Sequence, residues 1–158
     1  MPHRIRPATL ADADTLVRFN AAMALETERI RLDPAVLGPG VRAVLEDPAR
    51  GRYFVAESDG RVVGQLLVTY EWSDWRNGNI WWLQSVYVDP PHRRRGVFRA
   101  LYRHAEALAR AQGAVAIRLC VHHDNRPAQD TYRRLGMRDA GYIVMEESLT
   151  RNGRNGTV

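Results

Sequence analysis

Lysine is absent from this chain of 158 residues: all 23 of its Lys or Arg positions are arginine. A phosphate-binding loop of the G-x-x-x-x-G-K-[ST] type is therefore excluded, because that motif needs a lysine to contact the terminal phosphates. No G-x-G-x-x-G motif follows a strand-like segment either, so the dinucleotide-binding pattern is also missing. Nucleoside triphosphate hydrolysis accordingly has no support in the sequence.

Cysteine and long apolar runs are scarce as well. The single cysteine, Cys120, excludes an internal disulfide and cannot build a sulfur-rich metal site by itself. We interpret it as a small core residue, and we expect no metal. No apolar run approaches the roughly 18 residues of a membrane-spanning helix, and no hydrophobic segment follows the charged start of the chain. We therefore expect a cytoplasmic protein that does not contact a membrane.

The composition favours one domain that binds anions. The chain is 45% hydrophobic and shows no linker, so we predict a single domain over residues 1–150 and a flexible tail over residues 151–158. The formal net charge is +5 and the pI is about 10.0. Because the basic residues are spread along the chain, we do not expect nucleic-acid binding.

Apolar periodicity and turn signals predict a mixed α/β (α+β) domain in the order β-α-α-β-β-β-α-β-α-β. Helices are predicted after a capping box at Thr9, from Asp33, after Gly96 and after Asn125. The second helix should be interrupted or bent at residues 38–40, Gly-Pro-Gly. The strands are predicted at residues 5–6, 52–57, 62–72, 80–88, 114–121 and 142–149.

Residues 90–98, PPHRRRGVF, place three arginines and a glycine at the start of an amphipathic helix. The first N–H groups of a helix have no intrahelical acceptor, and the helix dipole adds partial positive charge there. Gly96 lacks the Cβ that would keep a phosphate off the backbone, while Arg93, Arg94 and Arg95 supply charged donors. The loop therefore predicts an anion site suited to a pyrophosphate. A solvated basic turn and a nucleic-acid contact are the alternatives.

A second group of residues lies on one face of the last predicted helix. Asn125 and Tyr132 are seven residues apart, which is about two helical turns, and Ala128 lies between them. Taken separately, Asn125 is typical of a helix cap and Tyr132 of a core aromatic residue. Together with the arginine-rich loop, the two residues make a far more specific pattern.

Over about residues 5–147 the chain resembles the GNAT superfamily, the N-acetyltransferases that depend on acetyl-coenzyme A (acetyl-CoA). Residues 85–88, followed by Arg93-x-x-Gly96-x-Phe98, resemble the family's strand and its [Q/R]-x-x-G-x-[G/A] loop. Phe98 departs from that motif because it replaces a small residue. Residues 125–137 resemble the family's N-x-x-A-x-x-x-Y-x-x-x-G-[FM] segment.

This resemblance implies two splayed central strands, with the pantetheine arm of acetyl-CoA lying beside the first of them as a short extra strand. Backbone groups of Val86 and Val88 would pair with the arm, and the loop would hold the pyrophosphate. Asn125 would contact the pantetheine, and Tyr132 would act as general acid for the departing thiolate. The cofactor-binding residues implied in this way are Val86, Tyr87, Val88, Arg93, Arg94, Arg95, Gly96, Val97, Phe98, Arg99, Asn125, Ala128 and Tyr132.

The residue that accepts the proton of the amine is left open. Several members of the family use a glutamate on the central strand, where this chain has Trp82 and then Gln84 on the same face, and neither can act as a base. Glu26 is our first choice for the catalytic base, because the first two helices commonly form one wall of the family's acceptor pocket. The alternatives are Glu28, Glu71, Asp74, His122 and a relay of water.

All four tryptophans lie within residues 72–82. Indole faces attract ammonium groups, so Trp72 and Trp75, with Glu26 and Glu71, are candidate residues for binding the acceptor. Core packing or a homodimer contact is the interpretation of the tryptophans that we rank slightly ahead.

We therefore expect an N-acetyltransferase that moves an acetyl group from acetyl-CoA to a primary amine of a small molecule or peptide, by direct attack in a ternary complex. The first alternative is a sensor or regulatory domain that binds an acyl-CoA without catalysis. The second is nucleic-acid binding through the arginines. No motif in the chain names the acceptor.

Overall fold

The computed structural model describes residues 3–150. Within this range the strands are β1 (Arg4–Pro7), β2 (Arg52–Ser58), β3 (Arg61–Ser73), β4 (Gly78–Val88) and β5 (Ala116–Leu119). The α-helices are α1 (Ala13–Glu28), α2 (Pro34–Glu46), α3 (Val97–Ala111) and α4 (Arg126–Arg134). Short 3₁₀ turns, Leu10–Asp12 and Pro90–His92, lie shortly before α1 and α3.

The strands form one mixed sheet in the order β1-β2-β3-β4-β5. The pairs from β1 to β4 are antiparallel. The turn between β2 and β3 is tight because Asp59 and Gly60 both adopt positive φ, the geometry that suits a twisted hairpin. By contrast, β5 follows α3 and runs parallel to β4, as a helical crossover requires. The predicted fold class and mixed sheet are confirmed.

Helices cover both faces of the sheet. The apolar side of α3 packs on one face in a cluster that includes Phe54, Trp81 and Leu101. On the opposite face, α1 and α2 pack through Leu16 and Val41. Burial of these side chains from water supplies most of the stabilisation of such a layered domain.

The central strands diverge at a bulge in β4. Only residues 80–83 of β4 pair with residues 116–119 of β5, although β4 continues to Val88. Between the pairs Leu67–Gln84 and Gln65–Tyr87, β4 carries one more residue than β3, and Ser85 has a φ of +50°. This places the predicted splay at a defined residue.

Three sequence predictions are wrong. Residues 142–149 form no strand and are exposed. Their apolar run gives β propensity, but a strand also needs a hydrogen-bonding neighbour, and tertiary structure decides where one lies. The second helix, α2, is not interrupted at residues 38–40: it continues through them with Pro39 inside it, because packing of residues such as Val41 overrides the local tendency to break. A bend at these residues stays a prediction. Cys120 is exposed rather than in the core.

The remaining predicted elements are confirmed, although β5 is shorter than the stretch predicted for it. The predicted tail, residues 151–158, lies outside the described residues. Among residues 3–150, no helix is both long and apolar enough to cross a bilayer.

Candidate active site

The arginine-rich loop, residues 92–96, leads into the N-terminus of α3. Gly96 is the N-cap residue and has a φ of +81°, a left-handed conformation that favours glycine. A Cβ built on Gly96 would meet no atom within 4 Å, so the space beside the backbone is open. No side chain caps the helix, so its first N–H groups face this open space without an intrahelical acceptor. The arrangement suits a phosphate group.

The guanidinium of Arg93 is bonded to two other parts of the protein, although its side chain is 43% exposed. Its Nε donates a hydrogen bond to the Val88 carbonyl at 2.9 Å, and its Nη2 contacts Glu26 Oε2 at 2.7 Å. The same glutamate accepts a hydrogen bond from the Tyr87 hydroxyl at 3.2 Å. Burial, reinforced by the Glu26 carboxylate, raises the pKa of Tyr87. These contacts tie α1, the end of β4 and the loop together.

Like Arg93, the other arginines near the start of α3 lie on the surface. Arg94, Arg95 and Arg99 are exposed, and Arg94 has a φ of +62°. The Arg95 carbonyl lies 3.0 Å from His3 Nε2, which fixes the backbone of the loop. Exposed guanidinium groups around an open helix N-terminus are free to approach an anion.

Phe98 joins the two sequence motifs. Its ring meets the ring of Tyr132 edge-on with centroids 5.7 Å apart, and it also contacts Tyr102 at 6.1 Å. The large residue that departs from the family motif therefore packs against the residue expected to act as general acid. In this chain the loop and α4 are brought together by that contact.

Tyr132 is half-buried, and burial raises the pKa of its hydroxyl above the ordinary value. The ordinary pKa of tyrosine is about 10, so Tyr132 keeps its proton at neutral pH. A protonated phenol can donate its hydroxyl proton, and it can act as a base only after that proton has been lost. The environment is consistent with a general acid.

Asn125 caps α4 by accepting a hydrogen bond at Oδ1 from the Ala128 N–H, at 3.2 Å. Gln129 holds the loop before it, because its Nε2 donates to the carbonyls of His122 and His123 at 3.2 and 2.9 Å. Sequence reasoning found the cap but missed Gln129. Its place inside the Asn125–Tyr132 motif was the available signal.

Gln65 is a second residue that sequence reasoning missed. It is fully buried on β3, and its Nε2 donates to the Ser85 carbonyl at 3.0 Å, at the bulge of β4. Its Oε1 is buried without a partner. The only signal in the sequence was a polar residue within an apolar strand. The register of β3 against β4 was needed to show that this residue lies beside the bulge.

Glu71 lies on the sheet near the position at which the family has its glutamate. Its Oε2 accepts a hydrogen bond from Trp82 Nε1 at 3.3 Å and lies 3.6 Å from Arg118 Nη1. Gln84, on the same face, donates to Thr69 Oγ1 at 2.6 Å. This end of the face is exposed, so a ligand can reach Glu71 from solvent.

The other candidate bases and the tryptophans are more scattered. Glu28 and Asp74 are exposed, and His122 is half-buried. Trp72 and Trp75 are exposed at the β3–β4 hairpin, 62% and 91%, whereas Trp81 is buried. The core interpretation therefore holds for Trp81 and is wrong for Trp72 and Trp75, because the hairpin extends beyond the helices that cover the sheet.

Within the described part of the chain, three neighbouring side chains bring possible metal-ligand atoms within 4.8 Å of one another: His122, His123 and Asp124. Two of them are exposed. Exposed groups of this kind are common without an ion, so the cluster carries no assignment.

Comparison with known proteins adds a family match. The model of the acetyltransferase (GNAT) family matches residues 21–137. Streptothricin acetyltransferase of Streptomyces lavendulae is 38% identical over 102 residues, which are 61% of this chain and 52% of that protein. Mycothiol acetyltransferase of Clavibacter michiganensis subsp. michiganensis is 34% identical over 140 residues, 86% of this chain and 42% of that protein. The chain thus spans about half the length of these curated relatives.

Solved structures agree with the fold. A possible acetyltransferase from Clostridium difficile 630 has a TM-score of 0.87 and 41% identity, covering 95% of this chain and 99% of that chain. An acetyltransferase from Clostridium acetobutylicum, solved with acetyl-CoA, has a TM-score of 0.76 at 17% identity, covering 92% and 96%. At that identity the second likeness concerns the fold alone.

Proposed function

Because the chain belongs to the acetyltransferase (GNAT) family, we propose that it transfers an acetyl group from acetyl-CoA to a primary amine by direct attack in a ternary complex. The family uses acetyl-CoA as its acetyl donor. One observation carries the proposal: the open, uncapped N-terminus of α3 at Gly96 lies beside exposed arginines and is joined to Tyr132 through the ring of Phe98.

The residues present fit acetyl-CoA. Backbone N–H groups at the start of α3, with Arg94, Arg95 and Arg99, would hold the pyrophosphate. Val86 and Val88 lie where β4 has left β5, so their backbone groups can pair with an extended arm. When bound, acetyl-CoA supplies the thioester whose acetyl group is transferred. Tyr132 would donate its hydroxyl proton to the thiolate that leaves, and Asn125 would support this wall by capping α4.

Two glutamates, Glu26 and Glu71, are candidates for the base that accepts the proton of the amine. Both carboxylate oxygens of Glu26 are engaged, one by Tyr87 and one by Arg93, so its service as a base requires that ion pair to open. Glu71 is engaged at one oxygen only: Oε2 accepts from Trp82 and lies 3.6 Å from Arg118 Nη1, whereas Oε1 accepts no hydrogen bond from the described part of the chain and the residue lies on an exposed face. We therefore favour Glu71 as the base and assign Glu26 to holding the loop through Arg93.

Two matched variants separate these roles. Glu71→Gln should lower the amine-dependent rate at neutral pH by roughly 100-fold, the usual contribution of a general base, with recovery as the pH rises and the free amine becomes abundant. Glu26→Gln should mainly raise the KM for acetyl-CoA. The opposite result, with the pH-dependent loss in Glu26→Gln alone, would return the role to Glu26.

The function itself is tested by release of free thiol. The full chain is incubated with acetyl-CoA and a panel of amines that includes streptothricin, thialysine, amino acids and peptides, with a reaction lacking amine as control. We expect thiol release that depends on the amine and an acetylated product in the mass spectrum. Trp72 and Trp75 would contact a cationic acceptor.

A sensor that binds acyl-CoA without catalysis is the second candidate. It is favoured by one observation, the replacement of the family's glutamate by Trp82. Calorimetry decides between the two: tight binding of acetyl-CoA without thiol release from any amine of a broad panel would support the sensor.

A further inference from the structure

An open pocket at the β3–β4 hairpin carries charges of both signs. Its lining includes two acidic side chains, Glu71 and Asp74, and two basic ones, Arg76 and Arg118. A ligand with one kind of charge only, such as a simple ammonium ion, meets repulsion as well as attraction there. A ligand that carries both an ammonium and a carboxylate group can match both signs at once. The charges of the pocket therefore favour a zwitterion.

Arg118 is the residue of this pocket whose hydrogen-bonding groups lack a partner. Its side chain is 23% exposed, and its Nη1 lies 3.6 Å from Glu71 Oε2, too far for a hydrogen bond. No other oxygen in the described part of the chain accepts from its guanidinium. By contrast Arg6, whose side chain is 25% exposed, donates to Asp12 and Glu57 at distances of 2.7 to 3.0 Å. The donors of Arg118 are therefore left to water or to a ligand.

Arg118 lies beside the position at which several members of the family carry their glutamate. That position is occupied by Trp82, which pairs with Arg118 of β5 and with Thr69 of β3. Residues paired in this way lie on the same face of a sheet, and Glu71, two residues after Thr69, shares that face. A ligand held by Arg118 can therefore place its amine next to Glu71.

The closeness of Arg118 and Glu71 limits the spacing of the two groups on the ligand. Because their nearest side-chain atoms are 3.6 Å apart, an ammonium bound by Glu71 and a carboxylate bound by Arg118 must be neighbours. In an α-amino acid one carbon joins the two groups, and the amine nitrogen lies about 2.5 Å from the carboxyl carbon. A peptide has no carboxylate next to its terminal amine. The spacing thus favours a free α-amino acid.

We propose that the acceptor is a free α-amino acid, that its α-amine is acetylated, and that Arg118 binds its carboxylate. This inference rests on the proposed function and on Glu71 as the base. The amide C–N bond forms and the thioester C–S bond breaks. Glu71 accepts one proton of the ammonium, and a second proton lost from the nitrogen balances the one that Tyr132 gives to the thiolate. The products are an N-acetyl amino acid and coenzyme A.

The same pocket favours an apolar side chain on the amino acid. The indoles of Trp72 and Trp75 border it and are 62% and 91% exposed. The ring of Tyr142 also borders it, 5.5 Å from the Arg118 guanidinium. An aromatic or aliphatic side chain removes apolar surface from water when it packs on such rings. Phenylalanine is accordingly the probe.

A series of three matched amines tests the proposal. Phenylalanine, phenylalaninamide and phenethylamine share the ring and the amine, but only the first carries a carboxylate. Arg118→Gln should lower kcat/KM for phenylalanine roughly 10- to 100-fold, as loss of hydrogen bonds to a charged group does, and leave phenethylamine nearly unchanged. Arg118→Lys keeps the charge without the planar fork and should restore part of the loss. Arg110→Gln, at the exposed end of α3, is the control and should match the wild type.

The series separates binding of the carboxylate from an effect on Glu71. If Arg118 only positioned Glu71, Arg118→Gln would lower the rates of all three amines alike. Such an equal loss would overturn the proposal, as would a wild-type chain that acetylates phenethylamine but not phenylalanine. In both cases the acetyltransferase activity itself stands. Absence of thiol release from every amine of the broader panel would instead refute the proposed function, and this inference with it.

Calorimetry measures recognition apart from turnover. Coenzyme A replaces acetyl-CoA in this experiment, so no acetyl group is available for transfer. Phenylalanine should bind the wild-type chain at least tenfold more tightly than it binds Arg118→Gln, and phenethylamine should bind both proteins equally. Equal affinity of the two proteins for phenylalanine would mean that Arg118 does not hold the carboxylate, and the proposal fails.

Discussion

Phe98 and Arg93 differ from what their positions in the loop motif imply, and each difference has a physical cause. Phe98 stands where the family has a small residue, and its ring packs edge-on against Tyr132. Arg93 donates through Nε to the Val88 carbonyl and through Nη2 to Glu26, so these two nitrogens are engaged within the protein. At the scale of single residues, we therefore propose Gly96 and its exposed arginine neighbours for anion binding, while Phe98 and Arg93 tie the loop to α4, β4 and α1.

Tyr132→Phe tests the general acid. The hydroxyl is lost while the ring that contacts Phe98 stays, so kcat should fall by roughly 100-fold, with little change in the KM for acetyl-CoA. Because burial raises the pKa of Tyr132, the wild-type rate should not fall from loss of this proton at any pH below about 10. Tyr102→Phe, on the other side of Phe98, is the control and should keep its rate. An unchanged kcat in Tyr132→Phe would remove the residue from the mechanism.

Gly96→Val tests the anion site. A Cβ at this position meets no neighbouring atom, but it projects into the space where the phosphates would lie and strains a φ of +81°. We expect the Kd for acetyl-CoA to rise at least tenfold and the stability to fall by about 1–2 kcal/mol. Calorimetry and denaturant unfolding measure the two quantities.

Gly60→Val is the matched control for that strain. Gly60 has a φ of +72° and the same open surroundings, but it lies in the β2–β3 turn. It should lose similar stability and keep its affinity for acetyl-CoA. Equal losses of affinity in the two variants would mean that the effect of Gly96→Val is general destabilisation.

The bulge in β4 is the feature that matters at the scale of elements. It separates the part of β4 that pairs with β5 from residues 86–88, which do not pair with β5 and which we propose for the extended arm of acetyl-CoA. Ser85 adopts a positive φ that is unusual for a residue with a side chain. The buried amide of Gln65 holds it there through the Ser85 carbonyl. This hydrogen bond therefore supports the bulge from inside the sheet.

Gln65→Leu tests whether Gln65 positions the bulge of β4. Loss of the bond to Ser85 should lower the free energy of unfolding by about 1 kcal/mol, partly offset because the unpaired Oε1 is also removed. The KM for acetyl-CoA should rise severalfold while kcat changes less, since the residue acts through the bulge and touches no reacting atom. Gln112→Leu, at the exposed end of α3, is the control. An unaltered KM in Gln65→Leu would limit Gln65 to a role in packing.

At the scale of the whole molecule, one ion-pair group joins the start of the chain to the sheet. Arg6 donates to both carboxylate oxygens of Asp12, at 2.8 and 3.0 Å, and to Glu57 at 2.7 Å. Asp12 is buried, and its hydrogen bonds with Arg6 lower its pKa. The group links β1, the entry to α1 and β2.

The stability of the fold should therefore depend on pH through Asp12. A carboxyl group whose pKa is lowered by folding stabilises the native state above its ordinary pKa of about 3.9, and this stabilisation is lost as the pH falls through the folded value. We expect Asp12→Asn to lose about 1–3 kcal/mol at neutral pH and to show a flatter decline below pH 4 than the wild type, by denaturant unfolding at several pH values. Asp14→Asn is the control, because its side chain is 97% exposed. Parallel acid declines in wild type and Asp12→Asn would contradict this assignment.

Local sequence patterns predicted most of the elements, the mixed class of the sheet and the two motifs of the candidate site. Apolar periodicity, turn residues and helix signals are local, so α3 with Gly96 at its start and α4 with Asn125 as its cap could be predicted from neighbouring residues. Long-range contacts alone decided what these parts do together. They include the packing of Phe98 on Tyr132, the capture of Arg93 by Glu26, and the approach of Glu71 to Trp82. Residues 142–149 show the boundary between the two: their apolar run predicts a strand, but strand formation also needs a hydrogen-bonding neighbour, and only the tertiary structure decides whether one is present.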